Sequence, residues 1–219
     1  MIQIGIVVFR ETLEVALVAA LLLAATRGIP GRTAWFLAGL AGGAAGAGVV
    51  ALFAEAITEA FAGRGQDLFN AIVLSVTVAM VAWTIAWMRK HGATLAAEAR
   101  EIGGRIRAGR APLYLLAVTM AIAVLRDGSE LVVFLSALSL SGQMTAPGIA
   151  GGFLAGGAAG SAIGALIYYG VLRAGIKSVF QLATVLLALL GAGLSAQAAG
   201  FFVSAGWLPA LADPIWDTY

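Results

Sequence analysis

The sequence predicts an all-α membrane protein, a polytopic bundle of transmembrane helices. Of its 219 residues, 61% are hydrophobic and 11% are charged, whereas a soluble domain carries about 25% charged residues. The mean hydropathy is +0.98. The apolar residues are also gathered into six stretches, each close to the roughly 20 residues that a helix needs to cross a bilayer. Too few polar groups are present to cover the surface of a soluble fold.

Six spans are expected along the chain. They run from Ile4 to Ala25, Ala34 to Ile57, Leu68 to Met88, Leu113 to Leu140, Gly148 to Leu172 and Val179 to Gly200. The first span is expected to remain in the protein, because it has no basic amino-terminal region and no small-residue cleavage site. A last apolar piece, from Phe201 to Leu211, is too short to span and contains Pro209. We expect it to lie at the interface or to re-enter the membrane.

Positive charge is concentrated in alternate connections. It follows spans one, three and five: Arg27 and Arg32; Arg89, Lys90, Arg100, Arg105, Arg107 and Arg110; and Arg173 and Lys177. The positive-inside rule places these connections in the cytoplasm and the N-terminus outside. The connection 89–111 is predicted to be a cytoplasmic basic loop, and a topological role is favoured over binding of anionic lipid or nucleic acid.

The chain contains an internal repeat. The segment 10–14 (Arg-Glu-Thr-Leu-Glu) returns at 126–130 (Arg-Asp-Gly-Ser-Glu), and the segment 41–46 (Ala-Gly-Gly-Ala-Ala-Gly) returns unchanged at 155–160. The two offsets are nearly the same, and each repeat would hold three spans. Since three is odd, the second repeat is expected to be inverted in the membrane, as in many secondary transporters. Repeat one covers about 1–90 and repeat two about 112–200, within a single domain, 1–219.

Six ionisable residues lie near the middle of spans one and four, where each costs about 2.5 kcal/mol or more and is a functional candidate by default. They are Arg10, Glu11, Glu14, Arg126, Asp127 and Glu130. Spacings of three and four residues place each set on one side of its helix. Carboxylate oxygens favour hard cations such as Mg²⁺, Mn²⁺ or ferric iron. The alternative is that the arginines neutralise the acids and the ion pairs only lock two helices together.

Two further patterns have weaker functional implications. Glu55 and Glu59, four residues apart at the end of span two, are a candidate outer vestibule that gathers cations, or an ordinary solvated helix end. The glycine-rich runs Gly39 to Gly48 and Gly148 to Gly164 predict close helix packing through pairs such as Gly42/Gly46 and Gly156/Gly160.

Other functional classes lack their residues. Without cysteine, and with one histidine, the chain has no ligands for a zinc–thiolate site or an iron–sulfur cluster and cannot form a disulfide. No Ser/His/Asp set or HExxH helix is present. The sequence therefore predicts that the protein is not an enzyme and binds no cofactor.

The two charged motifs, at 9–14 and 126–130, resemble the paired R-E-x-x-E motifs of the oxidase-dependent iron transporter (iron/lead permease) family. The likeness extends to residues 80–91 and 205–209, and so covers nearly the whole chain. The resemblance implies that Glu11, Glu14, Asp127 and Glu130 bind and pass iron, with Arg10 and Arg126 as charge partners. It also implies a ferroxidase or an extracytoplasmic iron-binding protein as partner.

The sequence departs from the family pattern at three places. Asp127 stands where the family usually has Glu, and residues 200–204 are apolar where relatives often carry His or acids. Family members usually continue into a seventh span, so the expected count is six or seven.

The predicted function is therefore a multi-pass permease of the cell membrane that moves Fe²⁺ or Fe³⁺ inward through a mid-membrane carboxylate site. Two alternatives remain open. One is a transporter of another divalent cation such as Mn²⁺, and the other is a non-transporting membrane subunit that docks an oxidase or electron carrier.

Overall fold

The computed structural model describes residues 2–60, 66–140, 146–169 and 176–209, without the side chains of residues 58–60, 66, 87–96, 140 and 176–180. These described segments form six α-helices. They are α1 (Ile2–Ala25), α2 (Arg32–Ala60), α3 (Gln66–Arg107), α4 (Tyr114–Leu140), α5 (Ala146–Tyr168) and α6 (Ile176–Ser204). The Glu59 side chain and residues 210–219 lie outside the described part.

Among the residues that the structure describes, four helices are long and apolar enough to cross a membrane. Their candidate spans are Arg32–Ile57, Asp67–Ala86, Ala146–Tyr168 and Gln181–Ser204. The other two helices, α1 with 24 residues and α4 with 27, are also long, but each contains three ionisable residues near its middle. The all-helical membrane protein predicted from the sequence is confirmed at this level.

The helices pack mainly as three pairs, in which α1 contacts α5, α2 contacts α4, and α3 contacts α6. One apolar cluster joins α1, α3, α4 and α6. Its buried members are Ile4, Val7, Val8, Leu74, Val81, Phe134, Ala137, Leu138, Leu187, Leu194 and Ala198. Burial of this cluster holds α3 and α6 against the helices that carry the ionisable residues.

Glycines form the contact surface of the pairs α1–α5 and α2–α4. A Cβ at Gly156 would lie 2.5 Å from the Gly5 carbonyl oxygen, and a Cβ at Gly43 would lie 2.7 Å from the Ala121 carbonyl oxygen. The prediction for Gly156 and Gly160 is confirmed, but that for Gly42 is wrong. Gly42 is exposed, and no described atom outside its own stretch of helix lies within 4 Å of its Cβ position. One residue turns a helix by about 100°, so only one glycine of this adjacent pair can face α4.

The predicted loop 89–111 is also wrong over most of its length, because α3 continues to Arg107. In the described part of this extension, Ala99, Gly103 and Ile106 are buried at helical spacing, whereas Arg100, Arg105 and Arg107 are exposed. A Cβ added at Gly103 would collide with the Ala25 Cβ. The extension is therefore an amphipathic helix whose narrow apolar face packs against the end of α1.

The connection between α1 and α2 is a tight turn. Gly28 (φ 88°) and Gly31 (φ 79°) adopt the left-handed conformation that glycine allows. Arg32 donates a hydrogen bond to the Leu23 carbonyl oxygen at 2.6 Å, which satisfies one of the carbonyls left unpaired where α1 ends.

At the other end of the chain, the expected separate piece from Phe201 to Leu211 is in part the last turn of α6, which ends at Ser204. Gly206 (φ 74°) follows, and the Trp207 N–H donates to the Phe202 carbonyl oxygen at 2.9 Å. A glycine in this conformation is a common helix terminator, so the apolar residues 201–204 extend the helix instead of starting a new element.

Candidate metal centre

Arg10 lies at the middle of the charged cluster on α1. Its guanidinium forms ion pairs with Glu11 and with Glu14, where Arg10 Nη2 lies 2.5 Å from Glu14 Oε1. All three side chains are at least nine-tenths buried. The spacing of the three residues along one helix predicts this clustering, and the structure adds that the cluster is shielded from the surface.

Arg10 also reaches α4. Its Nη1 atom lies 3.6 Å from Glu130 Oε2. Glu130 in turn accepts a hydrogen bond from Arg126 Nε at 3.4 Å and one from the Thr84 hydroxyl of α3 at 3.3 Å. The two R-E-x-x-E-like motifs are thus joined into one network, and α3 contributes to it.

Three carboxylates lie close enough to share a cation. One oxygen each from Glu11, Glu14 and Asp127 falls within 4.8 Å of the other two, and all three residues are buried. Glu11 Oε2 is buried and has no hydrogen-bond donor among the residues that the structure describes. A buried, unpaired carboxylate oxygen is costly, and a hard cation at this place would satisfy it.

The small residues behind the cluster determine its position. A Cβ at Gly160 would lie 2.8 Å from the Thr12 Cβ, and one at Gly128 would lie 2.7 Å from the Ala47 Cβ. Thr12 is adjacent to Glu11, and Gly128 is adjacent to Asp127. Close packing by α5 and α2 therefore supports the backbones that carry the acids.

A cleft of about 420 Å³ lies beside Glu130. Its lining residues belong to α3 apart from Glu130 itself: Val76, Ala79, Met80, Trp83, Thr84 and Glu130. Trp83 is 73% exposed. The cleft therefore borders the network at Thr84 and Glu130.

The structure brings together the six ionisable residues singled out in the sequence but not the proposed vestibule. Three of the four predicted acids form the close group, and Glu130 is linked to it through Arg10. Glu55 is exposed on α2 and lies outside this group of carboxylates, and the side chain of Glu59 is outside the described part. Thr84 is a contributor that sequence reasoning missed. The sequence feature that could have indicated it is a polar residue within the apolar span Leu68 to Met88.

Comparisons with known proteins agree on one family. Residues 1–214 match the Iron permease FTR1 family. Ferrous iron permease EfeU of Escherichia coli O6:H1 (strain CFT073) is 28% identical over 206 residues, covering 92% of this chain and 73% of that protein. Ferrous iron permease EfeU of Yersinia pestis is 28% identical over 211 residues, covering 92% and 72%. No solved structure shows a significant match.

The family match extends over almost the entire chain and includes both charged motifs, so the resemblance seen in the sequence is confirmed. The chain belongs to the iron permease FTR1 family.

Proposed function

We propose that this protein carries ferrous iron across the cell membrane and into the cytoplasm through the buried carboxylates of α1 and α4. The main support is the close approach of Glu11, Glu14 and Asp127 in a member of an iron permease family. The related EfeU proteins are named ferrous iron permeases.

The arginines give the site an occupied and an unoccupied form. Without a cation, Arg10 pairs with Glu11, Glu14 and Glu130 and offsets part of the cost of burying their charges. An arriving cation exchanges its hydration shell for the carboxylate oxygens, and at Glu11 Oε2 it displaces no hydrogen bond from the described residues. Glu130, which is held by Arg126 and Thr84, is the fourth acid of the site.

The charge of the site favours the ferrous ion. The four acids and two arginines carry a formal charge of −2, which a divalent ion neutralises and a trivalent ion exceeds. Since the carboxylates are buried, the charge of a trivalent ion that they leave uncompensated would be costly. Transport of ferric iron would require a further acid or a co-bound anion.

The membrane arrangement that fits this function has six spans in two inverted repeats, with the N-terminus outside. The helix pairing supports it, because exchanging α1 with α4 and α2 with α5 converts the α1–α5 pair into the α4–α2 pair. The contacts of Gly156 with Gly5 and Val8 likewise correspond to those of Gly43 with Ala121 and Val124. On this orientation Glu55 and Glu59 lie near the outer surface, where they would attract cations or meet an extracytoplasmic iron-binding protein or ferroxidase.

Uptake into proteoliposomes tests the proposal. We expect the wild type to take up Fe²⁺ kept reduced by ascorbate, and to take up Fe³⁺–citrate much less well. Glu14→Gln and Glu130→Gln should abolish uptake, because each removes a charge from the site while conserving side-chain size. Glu101→Gln, an exposed acid on α3, is the matched control and should transport normally. Normal uptake by both site variants, with all proteins folded, would contradict the carboxylate site.

A further inference from the structure

A line of buried polar residues runs along α3. Asn70, Thr77 and Thr84 are spaced by seven residues, and their exposed fractions are 6%, 0% and 5%. Seven residues turn a helix by about 700°, which returns to within about 20° of the starting direction. We call these three residues the polar stripe; Leu74 and Val81 lie beside it and belong to the apolar cluster.

One end of the polar stripe reaches the metal centre. The Thr84 hydroxyl donates to Glu130 Oε2 at 3.3 Å. At about 1.5 Å per residue, Asn70 lies about 21 Å further along the helix, towards its N-terminal end. In the proposed orientation that end is at the outer surface, so the polar stripe covers the depth between the outer surface and the carboxylates.

Asn70 is not explained by the packing around it. Its Oδ1 atom is buried and has no hydrogen-bond partner among the described residues. Leaving such an oxygen unpaired is costly. On the partner helix α6, Gln197 Oε1 is also buried without a partner in the described part of the chain. Amide oxygens are ligands suited to hard cations.

Thr77 is polar in a different way. Its hydroxyl donates to the Val73 carbonyl oxygen at 2.8 Å, so the hydrogen is used within the helix. A hydroxyl oxygen retains two acceptor lone pairs when its hydrogen is donated. Thr77 can therefore offer an oxygen to a cation without losing its own hydrogen bond.

We propose that the polar stripe is the outer half of the cation path, with Asn70 Oδ1 as a ligand of a transient site for a divalent cation before it reaches Glu130 and the other acids. This inference rests on the proposed function. Thr77 supplies an intermediate oxygen, and Thr84 is a positioning residue that orients Glu130 at the inner end of the stripe.

The test separates passage along the polar stripe from binding at the carboxylates. Fe²⁺ uptake into proteoliposomes is measured for two variants of Asn70. Asn70→Leu has a side chain of similar size without an oxygen, and Asn70→Asp retains an oxygen at the Oδ1 position. Thr77→Val removes a hydroxyl from the stripe. Ser75→Ala is its control, because Ser75 also donates to its own helix, at the Ala71 carbonyl oxygen, but is about 140° away from Asn70 around the helix axis. Binding of Mn²⁺ to each detergent-solubilised protein is measured in parallel.

We expect Asn70→Leu to lower the initial rate of uptake by about tenfold, the effect of losing one polar contact to a charge. Asn70→Asp and Ser75→Ala should retain at least half of the wild-type rate, and Thr77→Val should lie between. Mn²⁺ affinity should change less than twofold in Asn70→Leu, because the carboxylates are untouched. Thermal stability of Asn70→Leu should equal or exceed that of the wild type, since an unpaired buried oxygen is removed.

Wild-type uptake by folded Asn70→Leu and Thr77→Val would overturn the inference and leave the proposed function standing. Equal loss in Asn70→Leu and Asn70→Asp would also overturn it, because an oxygen ligand would then not be what matters. A wild type that neither binds Mn²⁺ nor takes up Fe²⁺ would instead refute the proposed function. If Asn70→Leu does not fold, the comparison of Thr77→Val with Ser75→Ala decides.

Discussion

Replacing Gly43 with alanine is expected to destabilise the protein, whereas the same change at its neighbour Gly42 is expected to be tolerated. An added Cβ at Gly43 would lie 2.6 Å from the Val124 Cβ and 2.7 Å from the Ala121 carbonyl oxygen. Carbon atoms in contact are normally about 3.5 to 4.0 Å apart, so α2 must move from α4 by roughly 1 Å. At Gly42, no described atom outside the same stretch of helix lies within 4 Å of the equivalent position.

The second repeat also has one packed and one unpacked glycine in its adjacent pair, but there the first glycine is the packed one. An added Cβ at Gly156 would lie 2.5 Å from the Gly5 carbonyl oxygen, while one at Gly157 would have no described atom outside its own stretch of helix within 4 Å. The letter-for-letter repeat aligns Gly42 with Gly156 and Gly43 with Gly157. In the structure the counterpart of Gly156 is instead Gly43, so the structural equivalence is shifted by one residue from the sequence alignment.

The expected size of the effect follows from overpacking, which costs about 1 to 3 kcal/mol in a close-packed core. For a chain of this length that lowers the melting temperature by about 2 to 12 °C. Gly42→Ala and Gly157→Ala should be neutral or slightly stabilising, since alanine favours a helix more than glycine does. Thermal unfolding of the four purified variants in detergent measures both effects. Equal behaviour of Gly42→Ala and Gly156→Ala would contradict this account of the helix contacts.

Three further predictions concern the candidate metal centre and its surroundings. Arg10→Met should destabilise the metal-free protein by about 3 kcal/mol, because it leaves buried carboxylates without their partner; thermal unfolding with added Mn²⁺ should recover most of this loss, and no recovery would argue against a cation at the site. Asp127→Asn should weaken Mn²⁺ binding at least tenfold in a titration, since it removes one of three grouped carboxylate charges, and unchanged affinity would exclude Asp127 as a ligand. Glu55→Gln should raise the half-saturating Fe²⁺ concentration about twofold at low salt and leave it unchanged at high salt. The reason is that an exposed charge attracts the ion over a distance, and salt screens this attraction. An effect that persists at high salt would instead indicate that Glu55 ligates the ion directly.

Much of this architecture can be predicted from the sequence because the bilayer imposes strong local rules. Helices must satisfy their own backbone hydrogen bonds in hydrocarbon, so long apolar stretches predict helices directly. The boundaries of α1 and α4 fall within two residues of the predicted spans. Ionisable groups in such stretches are costly, which is why the six charged residues of the candidate metal centre can be recognised in the amino-acid sequence.

The helix over residues 97–107 was not predicted, because its many charged residues are typical of a loop. A count of charges predicts a loop there, yet Ala99, Ile102, Gly103 and Ile106 form one short apolar face of the helix. Such a short face becomes significant only when a partner surface is present, and the end of α1 provides it at Ala25. Helix propensity and hydropathy are properties of one segment, so they do not reveal which surface that segment packs against.

The helices, the ionisable residues at mid-span and the family all follow from the amino-acid sequence alone. Helix packing selects which glycine of each adjacent pair faces its partner helix, and it pairs Arg10 with Glu130 of another helix. Packing also brings Thr84 of α3 into the network. These features escape the sequence because composition and spacing describe one helix at a time, whereas the rotation and relative height of packed helices depend on the fit between their surfaces.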